Sequence, residues 1–304
     1  SMSTAAAKQA DFEGLDYQFS DRDFQMIADQ ANKRYGLSLQ PSKKPLVYSR
    51  LAKRLRALQL KSFEEYCALL QRPDGAAEQG QFLSALTTNV THFFRELHHF
   101  EFLKETIAPK LIEKSKMGQS VRLWSSACSS GQEAYCMAAA LIAASPDVCN
   151  HDIKVLATDL DPQVVHAAKQ ALFPQDQLKA IPPSWRQILI AQGTTDEGQI
   201  AINDKVRKMV SFGELNLIAD WPMRRKFDVI FCRNAAIYFD KGTQARLWER
   251  FADVLTDDGY LMIGHSERLS GPAMSQFSSV GITSYQKNKM PGRQSNKKPE
   301  GDRT

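Results

Sequence analysis

An aspartate closes the β-branched run IKVLATDLD (153–161), and a small-residue loop follows the apolar run in VRLWSSACSSGQEAYC (121–136). These are the residues best placed to do chemistry. Read as strand, tight loop, helix and second strand, they form the first half of a nucleotide-binding α/β sheet. In such sheets ligands sit outside the carboxyl ends of the strands, where the strand order reverses. Asp159 is then placed to accept hydrogen bonds from ribose hydroxyls, while the loop lets backbone approach the ligand. The plainer alternative is an ordinary strand–loop–helix that binds nothing.

The loop also limits the ligand. Gly131 stands alone after Ser129 and Ser130, so a full G-x-G-x-x-G is absent. A pyrophosphate wants several glycines and a free helix N-terminus, whereas a ligand without phosphates needs neither. Adenosine bearing a sulfonium amino acid, S-adenosylmethionine, therefore suits this loop better than a dinucleotide does.

Two further segments carry candidate site residues. In TTNVTHFFRE (87–96), Thr88, Asn89 and Thr91 are poor helix formers whose side chains compete for backbone hydrogen bonds. They imply a helix start or break that aims Asn89, Thr91 and Arg95 at a ligand; a simple N-cap is the alternative. In FDVIFCRNAAIYFDK, Asn234 stands at the tip of a strand, where Asn or Asp followed by two prolines would mark a methylase of base amino groups. Ala235 and Ala236 stand there instead, which disfavours that chemistry. Cys232 reads as a buried strand residue rather than a nucleophile.

Elements must position these residues. Residues 20–115 read as helical: Ser20 is an N-cap and Gly36 a stop, and Val47, Leu51, Leu55 and Leu58 form one stripe that leaves most cations of the 43–61 helix off it. From 120 onward strands alternate with helices: KMVSF (208–212), the near-continuous apolar KFDVIFCRN (226–234), an amphipathic helix over 243–259 ending at Gly259, and strands in GYLMIGHSE (259–267) and SSVGITSYQK (278–287). That order argues a doubly wound sheet. Residues 173–207 interrupt it with a Pro-containing stretch and a hairpin around Gly193 and Gly198, read as a small β insertion rather than a long loop.

Composition narrows the class. The chain has 304 residues, 43% hydrophobic and 24% charged, ample for two domains with real cores. No apolar run approaches the roughly 20 residues that span a bilayer, and SMSTAAAKQADFEG has no apolar core, so no signal peptide is expected. Five cysteines without C-x-x-C spacing and six histidines without H-E-x-x-H point to reduced thiols and no metal. The formal charge of +5 is modest, but Lys43, Lys44, Arg50, Lys53, Arg54, Arg56 and Lys61 cluster in one segment. The tail after Lys287 reads as disordered.

TTNVTHFFRE with the following His-His-Phe, RLWSSACSSGQEAY, ATDLD, FDVIFCRNAAIYFDK and GHSE, in that order, resemble the CheR-type chemotaxis receptor methyltransferases over about residues 20–287. The resemblance implies a disordered 1–19, an N-terminal all-helical domain (20–115), a Rossmann-like class I S-adenosylmethionine-dependent methyltransferase domain (116–287) with a small antiparallel β subdomain (173–207), and a disordered 288–304. It implies methylation of glutamate side chains on chemoreceptor helices. Carried over by motif, Asn89, Thr91, Arg95, Glu133, Asp159, Asn216, Leu217, Asn234 and Ala235 would hold the cofactor, with Arg95 and Tyr238 nearest the transferring methyl. Gln132 stands where family members often have a first Glu, and Ala235 and Ala236 replace larger apolar residues, which would reshape the pocket near the adenine.

Receptor methylation regions are acidic helices, so Arg50, Lys53, Arg54 and Arg56 would dock them; a solvated face is the bland reading. The β subdomain is where some family members capture a receptor's C-terminal peptide. A monomer in the cytoplasm, recruited to transmembrane chemoreceptors without inserting in the membrane or binding nucleic acid, is expected. Two other readings remain: a nucleic-acid methyltransferase whose basic helix grips phosphates, which predicts steep salt dependence, and a non-catalytic scaffold.

Overall fold

A computed structural model describes residues 17–87, 90–193 and 197–289; the expectations for Asn89 and for the outermost termini lie outside them. Helix α1 (Asp21–Tyr35) begins with a reciprocal cap, in which Asp23 N–H donates to Ser20 Oγ and Ser20 N–H to Asp23 Oδ2. It stops at Gly36, whose φ of 70° suits a residue without Cβ. Helix α2 (Lys44–Leu58) buries Val47, Leu51 and Leu55, α3 (Phe63–Gln71) buries Tyr66 and Leu70, and α4 (Ala76–Leu86) buries Phe82 and Leu83. Tyr17 and Phe19, expected in a disordered N-terminus, are instead anchored. Tyr17 N–H donates to the Tyr48 hydroxyl, and the Phe19 ring lies 4.5 Å from that of Phe63.

The chain breaks after α4 and helix resumes at α5 (Leu97–Phe102), which runs through one wide turn (Leu103–Ile107) into α6 (Ala108–Lys116). These helices were expected in the helical domain. They leave it because Phe100, Leu103, Ile107 and Leu111 bury against the sheet and its first helix, in one core with Leu123, Ala138 and Phe231.

The sheet runs β5 (Val210–Glu214), β2 (Ile153–Asp159), β1 (Val121–Ser125), β6 (Phe227–Cys232), β7 (Leu255–Ile263), β9 (Ser284–Lys287), β8 (Phe277–Gly281). Pairings from β5 to β7 are parallel and the last two antiparallel. Helix α7 (Gln132–Ala144) and α5–α6 cover one face; α11 (Lys241–Val254) covers the other, with Trp124, Ile230, Trp248 and Phe251 sharing a core with α1–α4. Because β1 leads by α7 to β2 on one side and pairs with β6 on the other, the order reverses between β1 and β6. Their carboxyl ends are therefore the expected ligand crevice.

Some boundaries move. The third strand of the parallel set is 210–214 rather than 208–212. Helix α11 ends at Val254 rather than at Gly259. Leu255 already pairs with Phe227, and the next pair is Val229 with Tyr260, so the intervening residues bulge out. A Cβ on Gly259 would stand 2.8 Å from the Thr256 carbonyl, so only glycine allows that bulge. The small antiparallel sheet is present, but β4 (Gln199–Ala201) pairs with β3 (Leu172–Pro174). The pair is separated by α9 (Pro183–Leu189), so it is not a local hairpin; Ile190 and Ile202 make a single bridge across the Gly193–Gly198 region. Helices α8 (Pro162–Gln170) and α10 (Asp204–Arg207) follow β2 and β4. Among the described residues no helix is long and apolar enough to cross a membrane.

Candidate cofactor and active site

The carboxyl ends of β1, β2, β5 and β6 open into one cleft of about 910 Å³, counting its open mouth. Thr91, Arg95, Glu133, Asp159, Asn216, Leu217, Asn234, Ala235 and Tyr238 all line it, joined by Leu37, Thr87, Val90 and Phe239. Residues from four strand tips, the post-α4 break and the helical lobe thus converge on one space.

The loop after β1 is shaped around Asp159. Ser129 N–H donates to Asp159 Oδ2 at 2.8 Å and Asp161 N–H to Oδ1 at 3.0 Å, so the carboxylate is held by two peptide groups. Burial pushes its pKa up, while those two N–H bonds oppose the rise. Gly131 has φ 101°, and a Cβ there would lie 3.1 Å from both Ala168 and Tyr135. Its role is packing of the loop against α8 and α7, which explains why one glycine suffices where a phosphate cradle needs several.

Glu133, at the start of α7, is more engaged than its sequence position suggests. Ser125 Oγ donates to its Oε1 at 2.6 Å and Arg233 Nε to its Oε2 at 2.8 Å. Each oxygen retains capacity for a further donor. Arg233 itself is 6% exposed. Its Nη1 donates to the Arg95 carbonyl at 2.7 Å and approaches His99 Nδ1 at 3.1 Å. A guanidinium has no acceptor, so His99 Nδ1 must accept and Nε2 carries the proton, facing Thr283 Oγ1 (2.9 Å) and the Ile282 carbonyl (3.3 Å). Burial, then the neighbouring Arg233 charge, push the His99 pKa down to about 3. Sequence reasoning passed over this cluster. The available signal was a charged residue continuing the fully buried strand β6, which demands a partner.

Arg95 sits in the break between α4 and α5, flanked by Phe94 and Glu96 in the left-handed region (φ 54° and 55°). Its Nη1 donates to the Val90 carbonyl at 3.2 Å. Glu96, at the start of α5, makes no side-chain cap bond to that helix. After β6, Asn234 is also left-handed (φ 60°), and the turn carries Ala235 and Tyr238 to the cleft. Asn216 Nδ2 donates to the Arg34 carbonyl of α1 at 2.9 Å, and Ser38 N–H to the Tyr238 carbonyl at 2.8 Å. The helical lobe thereby closes one wall.

The residues suit an adenosyl ligand without phosphates. The cleft offers a carboxylate at the tip of β2, leucines and an alanine (Leu160, Leu215, Leu217, Ala235) for an apolar ring, and a buried Ser129 Oγ that has no protein partner. Cys128 lines the cleft and Cys232 lies behind it; burial raises both thiols well above their ordinary value, which leaves neither a nucleophile. On the basic helix the picture is mixed. Arg54 is turned inward onto Glu78, with Nε–Oε1 2.9 Å and Nη2–Oε2 2.7 Å. Arg50 donates to the Ala85 carbonyl, Arg56 lies over the Tyr17 ring, and Lys53 is exposed.

Residues 22–87 match the family model described as CheR methyltransferase, all-alpha domain, and residues 89–286 that described as CheR methyltransferase, SAM binding domain. The domain junction at 87–89 agrees with the packing of α5–α6 onto the sheet. A "Probable chemotaxis protein methyltransferase" of Rhizobium etli is 44% identical over 251 residues, covering 82% of this chain and 94% of the relative. Chemotaxis protein methyltransferase 2 of Pseudomonas aeruginosa is 38% identical over 276 residues (90% and 96%), and that of Salmonella typhimurium 37% over 268 (88% and 90%). The cofactor is S-adenosylmethionine, and the chain belongs to the CheR family of chemotaxis protein methyltransferases.

Proposed function

We propose that this chain methylates glutamate side-chain carboxylates on bacterial chemoreceptors in the cytoplasm, giving glutamate methyl esters and S-adenosylhomocysteine. The observation that carries the reading is that Arg95 and Tyr238 line the same cleft as Asp159 and Glu133. Bound there, the cofactor supplies a methyl on a positively charged sulfur, which keeps the electron pair of the breaking C–S bond as a carboxylate oxygen bonds to carbon. Asp159 accepts from the ribose hydroxyls, and Glu133 accepts from the ammonium with the lone pairs that Ser125 and Arg233 leave it. Asn216, Leu217, Asn234 and Ala235 wall the adenosyl moiety.

Little else is asked of the protein. A glutamate side chain has a reference pKa of about 4.3 and arrives ionised, so no general base is required. Alignment supplies most of the acceleration; well-oriented groups gain up to roughly 7–11 kcal/mol. Tyr238 and Arg95 orient the attacking oxygen. A tight bidentate arginine pair would blunt that nucleophile, and the bond from Arg95 Nη1 to Val90 leaves the guanidinium only partly available for one.

Transfer of tritiated methyl from S-adenosylmethionine to receptor-containing membranes tests this reading. Alkali-labile label in the receptor is expected, falling about tenfold or more in Tyr238→Phe and in Arg95→Ala. Alkali-stable label, or label in RNA, sinks the function. Wild-type turnover with unchanged cofactor affinity in both variants sinks the two assigned roles.

A further inference from the structure

We infer that Glu267, from the turn after β7, is a positioning residue that sets the cofactor-facing turn 234–236 by binding its peptide N–H groups as an anion. The residue is 2% exposed and does not itself line the cleft. Oε1 accepts from Asn234 N–H at 2.6 Å and Gly264 N–H at 2.8 Å, and Oε2 accepts from Ala236 N–H at 2.7 Å. The turn can present these groups together because Asn234 is left-handed (φ 60°) and Ala235 right-handed (φ −118°, ψ −43°). Such alternation makes a concave nest of N–H groups that favours an anion.

The outer side of the same turn carries Asn234 and Ala235 into the cleft, and Tyr238 N–H donates to the Ala235 carbonyl. The carboxylate thus holds, from behind, a left-handed asparagine that would otherwise relax. Gly264 fits this role. A Cβ there would stand 2.7 Å from Asn234 Oδ1, 2.9 Å from Asn234 N and 2.7 Å from Glu267 Oε1. Glutamate and glycine together fix where the turn sits. Glutamine has the same shape but would set an amide N–H against converging N–H donors, so charge and acceptor count are what the site selects.

The inference rests on reading Asn234, Ala235 and Tyr238 as residues that meet the cofactor. Calorimetric titration with S-adenosylhomocysteine separates the two. Glu267→Gln is expected to weaken binding about tenfold and to raise KM for S-adenosylmethionine in proportion, with kcat changed far less. A loss of global stability alone would not produce that split in the folded fraction. A folded Glu267→Gln protein whose affinity changes less than fivefold overturns the inference. Should that variant not fold, Gly264→Ala, which keeps the carboxylate and crowds the turn, is expected to weaken binding at least fivefold, and a smaller change overturns it. Wild-type protein that takes up no S-adenosylhomocysteine overturns it together with the site reading on which it rests.

Discussion

Arg233 Nε lies 2.8 Å from Glu133 Oε2, joining the tip of β6 to the start of α7 in the wall of the cleft. Both side chains are nearly inaccessible, at 3% and 8% exposure. The same guanidinium reaches the Arg95 carbonyl, so one cation fixes both the acid that faces the cleft and the segment that delivers Arg95. Removing one partner of a buried pair strands the other charge, which typically costs about 3–5 kcal/mol. Arg233→Ala is therefore expected to lower stability by about that amount, and the Arg233→Ala, Glu133→Gln double variant by less than the sum. Arg233→Lys should recover little, because an ammonium cannot reach Glu133, His99 and the Arg95 carbonyl from one planar fork. Urea denaturation of wild type, the Arg233→Ala, Glu133→Gln and Arg233→Lys single variants and the double variant decides this; additive losses would show the pair is not coupled.

His99 gives the fold a definite acid sensitivity. In the folded protein its imidazole stays neutral until about pH 3, whereas the unfolded chain protonates it near 6.5. Its contribution is complete above pH 6.5 and is lost as pH falls through the window from 6.5 to about 3, because there the unfolded state binds the extra proton. Between pH 7 and pH 5 this amounts to about 2 kcal/mol. His99→Gln keeps a donor and an acceptor but does not titrate. Its unfolding free energy from urea titration should fall by that much less over the same interval, and equal falls in both proteins would remove His99 as the cause.

What the sequence displayed and what it concealed follow from different physics. Period and capping depend on near neighbours, so Ser20, Gly36 and the stripe Val47–Leu51–Leu55 were legible, as was the buried run of β6. The cleft residues were legible because each stands at a strand tip or in a recognisable motif, and the fold brings those tips together. The supports behind them were not. Arg233 to His99, Glu267 to Asn234 and Asn216 to Arg34 are contacts between residues far apart in the chain, with no local signature. The domain junction was misplaced for a related reason. Helices α5 and α6 look like any amphipathic pair, and only the core they enter shows which domain owns them.

Gly131 concentrates two demands in one residue. Its φ of 101° lies where a Cβ is strained, and the Cβ of alanine would press on Ala168, Tyr135 and Phe212 at 3.1–3.3 Å. Gly131→Ala is expected to destabilise by about 1–3 kcal/mol. It should also weaken S-adenosylhomocysteine binding, since the displaced loop carries the Ser129 N–H that holds Asp159. Thermal unfolding and calorimetry on the same preparation test both. A stable variant with wild-type affinity would mean the loop absorbs the methyl elsewhere.

Two neighbouring cations on α2 should separate folding from docking. Arg54 is bound to Glu78, which is 7% exposed and also accepts from the Tyr66 hydroxyl at 2.8 Å. Arg54→Ala would leave that carboxylate buried beside a phenol alone, a loss of about 3–5 kcal/mol that thermal unfolding would register. Lys53 is exposed on the same helix, so Lys53→Glu should change stability by no more than about 0.5 kcal/mol. If an acidic receptor helix docks on this face, Lys53→Glu slows receptor methylation at low salt through the on-rate, and the difference from wild type shrinks as salt screens it. Cofactor affinity should not move. An unchanged rate at low ionic strength would show that receptors approach by another surface, and a rate loss that salt leaves untouched would point to a contact other than charge.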